Sequence, residues 1–555
     1  MSPPPVGNPQ LGSALVSIAA ALLAALLLPG CQRAEPRLAA PSQKIGQGIT
    51  LRYWAPGWLG GLPAQQTGSL ELYEKLEEVT GIHIEMTHPV TTDARYQLEE
   101  LRSSGVMPDI MEWSWLRSYP GGPGKAIDDG LIISLGEIIP RHAPNLFRLL
   151  TEHPEVARAI STPDGRYYAF PDLVTDPSTR SQSGPLFRKD WLDKVGMQPP
   201  ETIDQWREVL RAFKTAAFDT PGGGLEYPFF ILTVVPWMQD DLTLPYFVES
   251  NAFAGAYGVA HGFYRRNGKM EYGAAQPEYR QMLELLASWH QEGLVHPAIA
   301  EPKQSRDWIE VIAKCGAWIG GTDAAEYLRP LKYVPAPLPR LDGSGGSAQG
   351  FLGPTIPPAY VGERAAAVSA SSRYQTEAVR WLDVGYGAWG NRLYNFGIEG
   401  KSYELQRGAP VLADGAVREI ARAQGPSLGL LQALYRFSRG RAGGPFDLSV
   451  ELHRQYTEAT MPGSSGVFLG WQAGSLVDPL SVLDADAERR GELERLYAPI
   501  REHHFRNVTA FISGQRSLGE FDRFARELDE LGLAKVLELI ERGDAAWRSK
   551  RALVR

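Results

Sequence analysis

Apolar positions along this chain recur with two periods, and each period predicts an element. In "SLELYEKLEEVTGIHIEMTHP", Leu72, Tyr73, Leu76 and Val79 fall on one helical face, and Gly81 stands where a left-handed C-terminal cap belongs. Ile82, Ile84 and Met86 then alternate as a half-buried strand does. Upstream, "LRYWAPGW" predicts a short strand running into a turn; downstream, an amphipathic stretch from Tyr96 to Leu101 leads to the strand-like "PDIMEW". Strand, helix, strand, helix, strand is the pattern of an α/β sheet. Later helices are equally plain. Thr202 and Gln205 in "PETIDQWREVLRAFK" form a capping-box pattern ahead of a Trp206, Val209, Leu210, Phe213 stripe. The stripe returns as Met282, Leu285, Leu286 and Trp289, and Ser517 and Glu520 precede one made of Phe521, Phe524 and Leu528. Trp206 and Trp289 lie on these stripes and are therefore assigned to the core.

One segment breaks both periods. Leu11 to Leu28 is continuously apolar over roughly 18 residues and stops at Pro29, Gly30 and Cys31, after which "QRAEPRLAAPSQKIGQG" is polar. A hydrophobic region followed by small residues is the layout of a secretory signal. The "LLPGC" stretch resembles the lipobox of bacterial lipoproteins, whose cysteine is acylated and becomes the first residue of the mature protein. Pro29 and an n-region without Lys or Arg depart from that pattern. The alternative is an uncleaved N-terminal anchor helix. Both place the body of the chain on the extracytoplasmic side of a cell membrane.

Composition narrows the class. A chain of 555 residues exceeds one compact core, so two or more lobes are expected. A net charge of −8 with no basic, aromatic-interleaved patch argues against nucleic acid. Of two cysteines, lipidation of Cys31 leaves Cys315 alone in the apolar "IAKCGAWIGG", where a buried small hydrophobe is the plain reading.

No H-E-x-x-H, CxxC pair, G-x-S-x-G elbow or Walker loop occurs. His503 and His504 are adjacent and point to different faces of any regular element, and the Asp128/Asp129 and Asp240/Asp241 pairs read as solvated loop acids. No catalytic residue, cofactor or metal is assigned. Aromatics are abundant instead, with 14 Trp and 22 Tyr. Trp58, Trp113, Trp115, Trp237, Trp318, Trp389 and Trp471 occupy turn-rich or Gly/Pro-flanked positions rather than helical stripes. Flat indoles beside Gly or Pro suit sugar rings, whose C–H faces stack while nearby polar groups bind the hydroxyls. For each, packing in the core is an equal alternative.

From "PDIMEWSWLR" onward the chain resembles the family 1 extracellular solute-binding proteins of ABC importers, in particular the large oligosaccharide-binding lipoprotein branch of Paenibacillus-like bacteria. The resemblance continues in order through "DGRYYAFP", "FRKDWLDKVGMQPPETIDQWREVLRAFK", "GKMEYGAAQPEYRQMLELLASWHQEGLVHP", "LYNFGIEGKSYE" and "FISGQRSLGEFDRFARELDELGL". It implies a two-lobed, periplasmic-binding-protein-like (type II) α/β fold with a hinge and an interlobe cleft. A signal peptide over 1–30 and a tether over 31–44 would precede an N-lobe of 45–180 plus 334–386 and a C-lobe of 181–333 plus 387–555. Family positions place Trp58, Trp113, Trp115 and Arg117 at the cleft from the N-lobe side, and Trp318 and Trp389 from the C-lobe side. The implied protein is a monomeric, lipid-anchored receptor that delivers an oligosaccharide unchanged to ABC permease subunits. A surface carbohydrate-active enzyme, and a receptor for a peptide or for a sensor kinase, are the competing classes. Where relatives carry a calcium loop, this chain reads "AFDTPGGGLEYPFF"; Asp219 and Glu226 alone cannot supply six or more oxygens.

Overall fold

The protein is described from a computed structural model. It covers residues 44–55, 71–88, 94–176, 183–216, 227–231, 251–299, 308–321, 331–341, 359–413, 447–461 and 487–549, together with Leu38, Ala40, Phe218, Gly444, Gly463, Ser464, Gly466, Val467, Gly470 and Trp471. The apolar run and Cys31 lie outside the described residues, as do Trp58, Trp237, Asp219 and Glu226. Among the described residues, no helix is long and apolar enough to cross a membrane.

Two sheets organise the chain. The first has the order β2-β1-β3-β11-β4, from Ile82–Thr87, Ile49–Trp54, Ile110–Trp113, Ala359–Val368 and Phe170–Leu173. β1 is parallel to β2 and β3, whereas β11 is antiparallel to both β3 and β4. Strand alternation divides its side chains. Leu51, Tyr53, Ile82, Ile84 and Ile110 join a core with the helices Glu71–Thr80, Pro144–Glu152 and Gln375–Asp383; Trp54, Met111, Trp113, Ala365 and Ala367 join a smaller one with Trp115, Tyr119 and Tyr168.

The second sheet has the order β10-β5-β9-β6, from Tyr333–Pro335, Ser183–Arg188, Cys315–Gly321 and Tyr227–Phe230. β6 and β9 are parallel, and β5 is antiparallel to β9 and β10. A separate core covers it, built on the helices Ile203–Thr215, Pro277–Gln291, Ala487–Ser513 and Phe521–Glu530. Two hairpins, β7–β8 (Phe263–Arg266, Lys269–Tyr272) and β12–β13 (Tyr403–Gln406, Ala409–Leu412), complete the strands among the described residues.

Core membership shows how the chain returns between the sheets. Tyr333–Pro335 pairs with β5, and Ala336 and Leu338 are buried in the second core. Leu393 and Tyr394 are buried in the first core with Trp389 packed against it. The next described residue buried in the second core is Met461.

Candidate ligand-binding face at the strand ends

In open α/β sheets, ligands bind outside the carboxyl ends of the parallel strands. In the first sheet those ends are Thr87, Trp54, Trp113 and Leu173, because β4 is parallel to β3 through their shared antiparallel partner β11. In the second they are Phe230 and Gly321. The first two crossings join these same edges. The first leaves β4 at Leu173 and enters β5 at Ser183, paired with Gly321; the second leaves β10 at Pro335, beside Leu186, and enters β11 at Ala359, paired with Leu173. The two carboxyl edges are thus tied to each other by these two crossings, and the chain passes between the two cores a third time between Tyr394 and Met461; the space between the edges is the candidate binding face.

β11 is bulged at that edge. Its register passes from Asp172↔Tyr360 to Pro171↔Ala365, which leaves residues 361–364 without partners on β4, next to the Ala365↔Trp113 pair on β3. Such insertions re-aim a strand beside functional sites.

Polar chemistry at this edge centres on residues that the sequence reading did not nominate. The Tyr53 hydroxyl donates to Glu112 Oε2 at 2.5 Å, and the Gly444 amide donates to both, at 3.0 Å to Tyr53 and 3.2 Å to Glu112. Glu112 is buried, and a buried carboxyl group needs such hydrogen-bond partners. The signal was an acid inside the apolar strand "IMEW".

The nominated tryptophans are mostly interior in this conformation. Trp113 and Trp115 are each 1% exposed and meet edge to face at 5.5 Å. Their Nε1 groups donate to Gln97 Oε1 at 3.0 Å and to the Ala365 carbonyl at 2.9 Å. Trp471 is fully buried in the second core, donates to the Ala336 carbonyl at 2.8 Å, and covers Gly184 so closely that a Cβ there would sit 2.4 Å from its ring. Trp318 is 3% exposed, edge to face with Tyr333, and its ring leaves no room for a side chain at Gly320. Trp389 is only half-buried. Arg117 lies in the short helix Trp115–Ser118, directly after the β3 end. The structure therefore brings Trp113, Trp115 and Arg117 to one edge of the first lobe and puts Trp318 and Trp471 in the second core.

Other candidates resolve as supports. Arg188 is buried and grips Asp190 with both Nε and a terminal nitrogen, closing the turn from β5 into the helix Lys189–Val195. Cys315 is buried, and burial pushes its thiol far above the ordinary range. No group of three His, Cys, Asp or Glu side chains among the described residues is arranged to hold a metal.

No family model matches the chain. A search of curated proteins finds the fructooligosaccharide ABC transporter substrate-binding protein FusA of Streptococcus pneumoniae, 22% identical over 507 residues that span 84% of this chain and 85% of the relative. The lipoprotein LipO of Bacillus subtilis is 25% identical over 399 residues, 70% of this chain and 73% of LipO. Among solved structures, an extracellular solute-binding protein from Bifidobacterium longum subsp. infantis superposes with a TM-score of 0.67 at 17% identity, over 91% of this chain and all of that one. The chain has the two-lobed fold of the extracellular solute-binding proteins. In this fold the interlobe cleft lies between the two lobes and the crossings form its hinge. Glu112 and Tyr53 lie buried behind the strand ends of the first lobe, beside the β11 bulge.

Proposed function

We propose that the chain is a lipid-anchored, extracytoplasmic receptor that captures an oligosaccharide in the interlobe cleft and passes it unchanged to the permease subunits of an ABC importer. The observation that carries this reading is the similarity to a fructooligosaccharide receptor along both lobes rather than in one motif. The placement of the buried Tyr53–Glu112 pair next to the strand ends supports it, and Trp389, Arg117, Trp58 and Trp237 are the candidates to stack on or hydrogen-bond a sugar. No catalytic constellation has emerged from the sequence, which favours binding over turnover. Anchorage at Cys31 would hold the receptor near its permease, raising its effective concentration there.

Thermal-shift and calorimetric titration of the purified full chain with fructooligosaccharides, neutral glucans and oligogalacturonides tests the reading. At least one series is expected to raise the melting temperature while peptides do not. New reducing ends or unsaturated products on incubation would overturn it in favour of an enzyme. Mass spectrometry of the membrane fraction is expected to find Cys31 acylated, and Cys31→Ser to release the protein.

A further inference from the structure

The first crossing strand does not come free where its sheet ends. β4 makes its last ladder pair at Leu173, with Ala359 of β11, and a second neighbour takes over: Leu173 bridges to Asp447, and the Leu448 amide donates to the Leu173 carbonyl at 2.9 Å. The Asp447 carboxylate then accepts the Thr175 amide at 3.1 Å and the Thr175 hydroxyl at 2.5 Å. Asp447 is in turn fixed to the first lobe. Its carbonyl accepts the side-chain amides of Asn391 at 2.6 Å and Asn395 at 2.9 Å, both on the helix Ala388–Phe396, and the next residue but one, Ser449, donates its amide to Asn395 Oδ1 at 2.9 Å. Three positions upstream, Gly444 is pinned to Tyr53 and Glu112, with a φ of +112° and with the Tyr394 hydroxyl where a side chain would start. Both pins bear on the cleft-side edge.

We propose that Asp447 is a latch that sets the pivot of lobe motion: it holds Leu173–Thr175 to the first lobe, so that bending on the first crossing begins only beyond Thr175. The chemistry suits the role. A carboxylate that takes two donors of one residue fixes direction as well as distance, and charge-assisted hydrogen bonds are the strong class. The segment that carries the latch is also pinned, three residues upstream at Gly444, to the buried Tyr53–Glu112 pair behind the strand ends. Asp447 touches neither Tyr53 nor Glu112 in this arrangement; it is a positioning residue, acting on ligand affinity through the range of lobe orientations that a ligand must select from. The inference rests on the two-lobed fold and not on which solute is bound.

The test measures the lobes directly, without ligand. In a full-length Cys31→Ser chain, spin labels at Glu78→Cys on the first lobe and Lys269→Cys on the second report the interlobe distance; Cys315 is buried and stays unlabelled. Asp447→Ala is expected to broaden the distance distribution by up to roughly 7 Å, the reach of the two residues beyond Leu173 that it releases. Thr175→Val, which removes only the hydroxyl, is expected to broaden it less, and this milder variant keeps the test decisive should Asp447→Ala fold poorly. An unchanged distribution in folded variants overturns the latch, and so does a lowered melting temperature without broadening, which marks a purely structural contact. Neither result bears on whether the solute is a sugar.

Discussion

Asp383 accepts the backbone amide of Leu146 at 2.8 Å, across 237 positions of sequence. The helix Pro144–Glu152 has no side-chain cap of its own at Ala143, and Pro144 has no amide to satisfy. The amides of Asn145 and Leu146 both turn to Asp383, which ends the helix Gln375–Asp383. Burial pushes the Asp383 carboxyl up to about 6, against the pull of those donors. Asp383→Ala is expected to lower stability by about 1–2 kcal/mol, the usual size of a lost cap. The pH dependence has a definite sign. Between the unfolded value near 3.8 and about 6, the folded protein holds a proton that the unfolded chain has released, so stability falls as pH rises through that window. The full change is on the order of 3 kcal/mol, and urea unfolding of Asp383→Asn should show it removed.

Histidine chemistry in the second lobe works in the opposite direction and is the larger effect. His261 Nδ1 lies 2.5 Å from the Tyr279 hydroxyl, and His504 contacts Tyr272 at 2.6 Å and Tyr279 at 3.2 Å, all of them buried. Burial lowers His261 to about 3 and His504 well below its usual value, the latter aided by the neighbouring His261 and His503. Both are neutral in the fold while the unfolded chain charges them below about 6.5, so stability is full above that pH and is lost as pH falls. At pH 5 His261 alone removes about 2 kcal/mol relative to pH 7, against about 1 kcal/mol returned by Asp383. The protein is therefore expected to be less stable at pH 5 than at pH 7 in urea unfolding. His261→Phe is expected to be weaker at pH 7 and to lose less on acidification.

These two networks show where sequence reading reached and where it stopped. Local signals were legible. Thr202 and Gln205 make both bonds of the capping box, Gly81 has a φ of +73°, and Met282, Leu285, Leu286 and Trp289 are all buried. Ser517 does cap, but to the Gly519 amide of a short 3-10 turn. His503 and His504 part as adjacent residues must, one pairing with Glu527 and the other buried. Contacts made across hundreds of residues, such as Asp383 with Leu146 or Thr175 with Asp447, leave no periodic trace. Sheet membership is equally silent in the sequence, since only strand pairing shows that Tyr333–Pro335 lies beside β5. The tryptophans teach a further point. Glycine beside an aromatic suits a sugar platform or core packing equally, and at Gly184, Gly316 and Gly320 the missing side chain makes room for Trp471, Trp191 and Trp318 to lie on the backbone. Glycine next to indole marks close packing as readily as an open face.

Calcium is expected to have no bearing on stability. Within 219–226 the carboxylates are Asp219 and Glu226 alone, while calcium takes six to eight oxygens. Melting temperatures with excess chelator and with millimolar calcium should coincide. A calcium-dependent rise would show oxygen ligands recruited from elsewhere in the chain.

Gly184 and Trp471 give the sharpest test of packing at the entrance to β5. A Cβ on Gly184 would stand 2.4 Å from two indole carbons, a distance that no relaxation of a few tenths of an ångström relieves. The ring cannot simply move off, because its Nε1 is held by the Ala336 carbonyl and it is buried on all sides. Gly184→Ala is therefore expected to destabilise by about 1–3 kcal/mol through overpacking, and Trp471→Ala by about 3–5 kcal/mol through the lost ring. In Gly184→Ala/Trp471→Ala the clash has no partner, so the double variant should be no less stable than Trp471→Ala alone. Denaturant unfolding of the four proteins reads this as a coupling of about 1–3 kcal/mol, far outside the additivity seen for independent sites. Additive losses would mean that Trp471 does not lie on Gly184, and would return that indole to the set of candidate cleft residues.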